Sequence, residues 1–213
     1  MKITISRLYK YRDTLIRFRQ IGMVKVFSDD LAEDVNTSST QVRKDFSLFG
    51  LSGNKKGGYV ISELIAQLDK LLGKDKTYSA IIVGAGNLGK ALMNYNGFEE
   101  EGFKIVAVFD IDPLKTSREG KVPVLPAQEL EKFIKANRIG LGIIAVPYFA
   151  AQEAADKMTA AGIKGILNFA PVSLKVPGDC FVNNINVRLE LETVNYFAKI
   201  MNENKKNKNG KGL

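Results

Sequence analysis

Histidine is absent from this chain of 213 residues. With it go the commonest general base and the commonest metal ligand, which weighs against enzymatic readings. A single cysteine, Cys180, excludes an intrachain disulfide and fits a reducing, cytoplasmic setting. Lying beside Phe181 and Val182, it reads as core rather than as a thiol sensor. Proline is sparse, and long apolar runs are missing. Such runs as occur, at 79–83 and 143–146 for example, are strand-sized and too short to cross a bilayer. The first residues lack the apolar stretch and small-residue cleavage site of a signal peptide. Neither membrane nor metal is expected among the partners.

What is present supports a folded core: 45% of residues are hydrophobic and 25% charged. Net charge is +8, which permits an anionic partner without choosing one. Its distribution is informative. Lys2, Arg7, Lys10, Arg12, Arg17, Arg19 and Lys25 face one early acid, Asp13. A second cluster, Lys199, Lys205, Lys206, Lys208 and Lys211, lies in an Asn/Gly/Lys-rich end that reads as a frayed tail.

The chain changes character at 73–77. Before it, apolar residues recur at helical spacing. After it, β-branched runs alternate with helical patterns, as a parallel α/β sheet requires. The expected organisation is a helical domain over 1–76 and an α/β domain over 77–187. A helix over 188–203 and a disordered basic tail over 204–213 follow.

In the first half, Leu8, Tyr11, Leu15 and Phe18 mark one face of a helix ending at Gly22. Ser28 is the expected N-cap of a short helix that Asn36 closes. Residues 37–39 offer caps for the next, in which Val42, Phe46 and Phe49 form the buried stripe and Gly50 ends the helix. Short helix, turn and short helix make a helix-turn-helix pattern. Its second helix turns Thr37, Thr40, Lys44 and Ser47 outward, flanked by Gln41 and Arg43. Such side chains suit base edges and phosphates, although any solvated helix face presents similar ones. The next segment favours DNA: Gly50-Leu-Ser-Gly-Asn-Lys-Lys-Gly-Gly-Tyr59 is a glycine-hinged basic loop shaped like a wing, with Lys55 and Lys56 at its tip.

The second half opens with a strand over 80–83 followed at once by Gly84-Ala85-Gly86-Asn87-Leu88-Gly89 and a helix. This is G-x-G-x-x-G in the strand-to-helix setting of a dinucleotide fold, with the helix N-terminus available to a pyrophosphate. The next strand ends at Asp110, beside Ile111. A carboxylate there accepts both hydroxyls of an adenosine ribose and repels a 2′-phosphate, favouring NAD(H), while Lys115 and Arg118 leave NADP(H) open. Further strands end near Val146, Pro147, Asn168 and Phe169, the candidates for the nicotinamide end. After Ala170 little chain remains for a substrate domain, and no proton-transfer pair stands at catalytic spacing. A cofactor site without chemistry, joined to a DNA-binding head, reads as a sensor. The alternative is an NAD-dependent oxidoreductase with an N-terminal substrate or oligomerisation domain. A second is a repressor that binds CoA or a nucleotide sugar.

The sequence resembles the Rex family of redox-sensing repressors over nearly its whole length. The resemblance rests on Gln41-Val-Arg-Lys-Asp45 running into Phe49-Gly50, on Gly84-Ala-Gly-Asn-Leu-Gly89, on Phe109-Asp-Ile-Asp-Pro113 and on Ala161-Gly-Ile-Lys-Gly-Ile-Leu-Asn-Phe-Ala-Pro-Val172. It implies a homodimer, each subunit pairing a winged-helix head with a Rossmann NAD(H) domain, and a C-terminal helix swapped into the partner. It also implies that NADH closes the dimer and releases operator DNA. By the same resemblance Tyr95 lies near the nicotinamide, and the DNA-contacting set is Arg7, Ser38, Thr40, Gln41, Arg43, Lys44, Ser47, Lys55 and Lys56. Typical members read Gly-Lys-Arg-Gly where this wing reads Gly53-Asn-Lys-Lys56. They also carry an arginine at the place of Asp13 and an aspartate at that of Asn186, which pair across the dimer in the DNA-competent state. That pair cannot form here, so an altered redox response is expected.

Overall fold

The structure, a computed structural model, describes residues 2–51, 53 and 57–209. It divides into two compact units, Met1–Lys76 and Thr77–Leu213.

The first unit contains α1 (Lys2–Gln20), β1 (Lys25–Val26), α2 (Ser28–Asp34), α3 (Ser39–Leu48), β2 (Tyr59–Val60) and α4 (Ile61–Leu72). Leu8, Tyr11 and Leu15 bury one face of α1 against Val42 and Phe46 of α3 and Leu64 and Leu68 of α4. Each such side chain contributes about 1.5–3 kcal/mol of burial. Asn36 supplies the sharp turn between α2 and α3 at φ 53, a left-handed conformation that asparagine tolerates. The start of α2 differs from expectation. Phe27 is the N-cap, its N–H donating to Asp30 Oδ2 at 2.7 Å, and Ser28 is buried in the first turn. The Ser28 hydroxyl accepts from Arg43 Nη1 at 2.9 Å, so it serves α3 instead of its own helix end.

β1 and β2 pair antiparallel, Lys25 opposite Val60 and Val26 opposite Tyr59, and form the base of the expected wing. Edge-on ring contacts run from Tyr11 to Phe46 (5.5 Å) and from Phe46 to Tyr59 (5.1 Å), joining α1, α3 and β2. Residue 53 must be glycine, because a Cβ there would lie 2.0 Å from the Tyr59 ring. Lys55 and Lys56 lie outside the described residues.

The second unit contains β3 (Tyr78–Val83), α5 (Asn87–Met93), α6 (Gly97–Glu100), β4 (Phe103–Asp110), β5 (Val124–Pro126), α7 (Leu130–Asn137), β6 (Leu141–Ile144), α8 (Tyr148–Ala161), β7 (Gly165–Asn168), β8 (Phe181–Asn184) and α9 (Val187–Asn209). The strands form a parallel sheet in the order β5-β4-β3-β6-β7-β8. Chain direction across the sheet reverses between β3 and β6, the switch point where such sheets bind ligands. Ile81, Val83, Phe109 and Ile144 pack on one face beneath α7 and α8. Ala80, Ile82, Ile105 and Ile143 line the other. There an apolar hollow of about 430 Å³ remains open, walled by Phe98, Phe103, Leu141, Leu167 and Phe181.

β7 stops at Asn168 because that side chain takes the Ala170 N–H at 3.0 Å and turns the backbone out of the ladder. α9 continues to Asn209, beyond the end expected at 203. An Asn/Lys run does not start a helix but extends one already nucleated, since lysine is a good helix former. Val187, Leu189, Leu191, Val194, Phe197 and Met201 of α9 are exposed.

Candidate functional site

The nucleotide cleft is built mostly from backbone. Gly84 turns the chain out of β3 at φ +107, and a Cβ there would come within 2.5 Å of the Ala145 carbonyl oxygen. At Gly89 a Cβ would sit 1.8 Å from the Gly84 carbonyl oxygen, so the start of α5 packs against the strand only with glycine. Gly86 differs, because a Cβ would meet nothing within 4 Å. The protein's own packing does not demand glycine there, whereas a ligand approaching the backbone would. The first turn of α5 leaves amide donors without intrahelical partners, a favourable place for a diphosphate.

Asp110 closes the cleft at the end of β4. Its Oδ2 accepts the Ala85 N–H at 2.7 Å and its Oδ1 the Asp112 N–H at 2.9 Å, while Lys115 Nζ lies 3.6 Å from Oδ1. Burial opposes ionisation, but the two amides and Lys115 outweigh it and hold the carboxyl below the usual carboxylate range. A cavity of about 310 Å³ is lined here by Gly84, Gly86, Asp110, Ile111, Val146 and Pro147 among others. Ala85 is buried behind it, and Asn87 and Leu88 are exposed on α5. Arg118, the other cation left open for a 2′-phosphate, pairs with Glu129 at 2.6 Å.

Three expected cofactor residues do not line this cavity. Asn168 is fully buried. Its Nδ2 donates to Ala170 O (3.2 Å), Val172 O (2.8 Å) and Asn184 Oδ1 (2.8 Å), and its Oδ1 accepts from Ala170. The side chain joins the turn after β7 to β8. Phe169 packs into the core below the sheet. Tyr95 is exposed between α5 and α6, with its ring edge-on to Phe98 at 5.1 Å, and does not line this cavity. Phe149, 74% exposed and lining the cavity, was not expected. Its signal was the aromatic pair Tyr148-Phe149 following Val146-Pro147.

The nucleic-acid face is built from side chains. Ser38 caps α3, its Oγ accepting the Gln41 N–H at 3.1 Å. Thr40, Arg43, Lys44 and Ser47 are exposed along the helix. Arg43 lies back over the helix start, donating to Ser28 Oγ and, at 3.3 Å, to Ser39 Oγ. Arg7 Nε and Nη2 donate to Asp45 Oδ2 and Oδ1 at 2.6 and 2.8 Å, so two guanidinium donors are committed inside the unit.

Asp45 is therefore central, and it was not among the expected site residues. It is 2% exposed and also accepts from Tyr11 OH at 3.0 Å and Gln41 Nε2 at 2.8 Å. Burial opposes its charge, but Arg7, Gln41 and Tyr11 outweigh that and hold its pKa below the ordinary value. Burial, aided by Asp45, pushes Tyr11 up to about 12. The available signal was a carboxylate on the same stripe as Val42, Phe46 and Phe49.

Among the described residues no group of three or more His, Cys, Asp or Glu is placed to hold a metal, and no helix is long and apolar enough to cross a membrane.

Comparison with known proteins accords with this division. A family model described as "CoA binding domain" matches residues 75–172, and one described as "Putative DNA-binding protein N-terminus" matches residues 2–47. The redox-sensing transcriptional repressor Rex of Carboxydothermus hydrogenoformans is 43% identical over 194 residues, spanning 91% of this chain and 93% of its own. Its namesake from Desulfitobacterium hafniense is 44% identical over 195 residues, spanning 91% and 92%. Among solved structures, RSP, a Rex-family repressor, in complex with β-NAD⁺ and operator DNA superposes with a TM-score of 0.90 at 38% identity, covering 100% of this chain and 98% of that one. RSP with β-NADH gives 0.85 at 38% identity, covering 97% of each. These relatives are named as repressors, so the oxidoreductase alternative falls away. The chain belongs to the Rex family of redox-sensing transcriptional repressors.

Proposed function

We propose that this protein represses transcription by binding palindromic operator DNA as a homodimer in the cytoplasm, and that NADH releases it while NAD⁺ does not. One observation carries the reading: an acid-ended dinucleotide cleft and a capped helix with exposed Thr40, Lys44 and Ser47 occur in one chain. That chain aligns over its full length with RSP bound to β-NAD⁺ and operator DNA. Asp110 supports a dinucleotide with a free ribose. Its carboxylate repels a phosphorylated ribose, whether the 2′-phosphate of NADP(H) or the 3′-phosphate of CoA. The exposed apolar residues of α9 and the open hollow on the sheet are what a protomer shows when its partner is taken away. On this reading α9 is the swapped helix, Lys55 and Lys56 reach the phosphates beside the groove, and Tyr95 stands by the nicotinamide.

The redox response is proposed to be shifted from that of typical members. Asn186 Oδ1 accepts the Leu189 N–H at 3.1 Å and caps α9, a task asparagine performs as well as aspartate. It brings no charge, and Asp13, with Arg12 Nη1 at 3.7 Å, brings the opposite sign from arginine.

Selection from a random duplex pool in the presence of NAD⁺ tests the DNA half. It is expected to enrich a palindrome with half-sites separated by about one or two helical turns. Calorimetry with NADH, NADPH and CoA tests the other half, with NADH expected to bind most tightly. No enriched sequence, or CoA bound in preference to NADH, would overturn the proposal.

A further inference from the structure

Asp45 does more than join α1 to α3. A carboxylate only accepts hydrogen bonds, so whichever atom of the Gln41 amide meets it must be the nitrogen. The 2.8 Å bond from Gln41 Nε2 to Asp45 Oδ1 thus decides which way round that amide sits. Arg7 grips both carboxylate oxygens and Tyr11 one, so Asp45 has little freedom to turn. Gln41 is half-buried on the first turns of α3, its backbone N–H fixed by the Ser38 cap, and has Thr40 and Lys44 exposed beside it. An amide held by its nitrogen offers its oxygen as acceptor, with one N–H to spare.

We infer that Asp45 is a specificity-positioning residue: by fixing the Gln41 amide through the Arg7–Asp45–Gln41 chain, it makes Gln41 read an exocyclic amino group in the major groove. That group is N6–H of adenine or N4–H of cytosine, the two amino donors presented there. The inference rests on the DNA-binding reading above. It adds that sequence choice at one position of each half-site is set by a residue that does not touch DNA.

The test uses the full-length protein and its selected operator with NAD⁺ present. Each adenine in turn is replaced by purine, which lacks the amino group, and each cytosine by its 4-deamino analogue. Wild type is expected to lose roughly ten-fold in affinity at one half-site position. Gln41→Ala is expected to bind about ten-fold more weakly and to be indifferent to that change. Asp45→Asn, whose own amide can donate as well as accept, is expected to lose the discrimination at that position while still binding operator and non-operator DNA. A role confined to holding the fold would weaken operator and non-operator binding together.

Should Asp45→Asn not fold, NMR of wild type tests the same lock. One Gln41 side-chain N–H is expected to be shifted downfield and protected from exchange. Free exchange of that N–H, or full discrimination in Asp45→Asn, would overturn the inference and leave the repressor reading intact. Absence of any sequence-selective binding by wild type would overturn both.

Discussion

Each unit of this molecule is organised around one buried carboxylate, Asp45 in the first and Asp110 in the second, at 2% and 8% exposure. Both are kept ionised against burial, yet by different donors. Asp110 is held by the backbone amides of Ala85 and Asp112, which the strand-turn-helix geometry supplies whatever the side chains are. Asp45 is held by Arg7, Tyr11 and Gln41, side chains from two helices. A site made of backbone is fixed once the fold forms, and suits a cofactor that never varies. A site made of side chains is open to retuning one residue at a time, which suits a protein that must match its own operator.

The largest effect should come from cutting the side-chain site. Asp45→Ala leaves the Arg7 guanidinium without its partner and is expected to lower stability by about 3–5 kcal/mol, measured by denaturant unfolding. Because the folded pKa of Asp45 is depressed, its contribution is present above the unfolded carboxylate value near ~3.9 and is lost as pH falls through the folded value. Asp45→Asn should therefore flatten the acid limb of the stability curve below about pH 4. An unchanged acid limb would remove Asp45 from the account.

Next comes the backbone site. Gly89→Ala forces a methyl against the Gly84 carbonyl and is expected to cost about 1–3 kcal/mol of stability. The same substitution should abolish NADH binding, as read by calorimetry. Asp110→Ala should preserve the fold better. It is expected to weaken NADH by roughly ten-fold or more, the worth of a charged hydrogen bond, and to narrow the gap between NADH and NADPH. NADH affinity unchanged in Asp110→Ala would break the contrast between the two sites.

The smallest effect concerns coupling. Asp13→Arg combined with Asn186→Asp restores opposite charges at the two places where typical members carry them. It is expected to move the NADH concentration that half-releases operator by about five-fold, with little change in operator affinity under NAD⁺. Parallel anisotropy titrations of both proteins would show it, and identical curves would mean the pair has no role here.

The same contrast explains what could be read in the sequence. Gly84 and Gly89 were legible because local backbone geometry demands glycine at both, and Gly86 and Asp110 because the dinucleotide pattern spaces them in a fixed order. The stripe of Val42, Phe46 and Phe49 and a cap within 37–39 were legible from helical spacing. The bond from Arg7 to Asp45 was not legible because the two lie 38 residues apart, and periodicity carries no information across that distance. The bond from Asn168 to Asn184 was hidden for a related reason: Asn184 lies on a neighbouring strand. Ser28 fits a cap by type, but Arg43 from the next helix claims its hydroxyl. What sequence reading missed in each instance was a polar side chain satisfied by tertiary contact.

The central claim is that the two units are coupled, and titration of the full chain onto its selected operator at fixed salt tests it most directly. With saturating NAD⁺ the protein should bind tightly. With saturating NADH affinity should fall, and operator should weaken NADH relative to NAD⁺ by the same factor, as linkage requires. Equal operator affinity under both cofactors would contradict the account, leaving a repressor and a dinucleotide site that do not communicate.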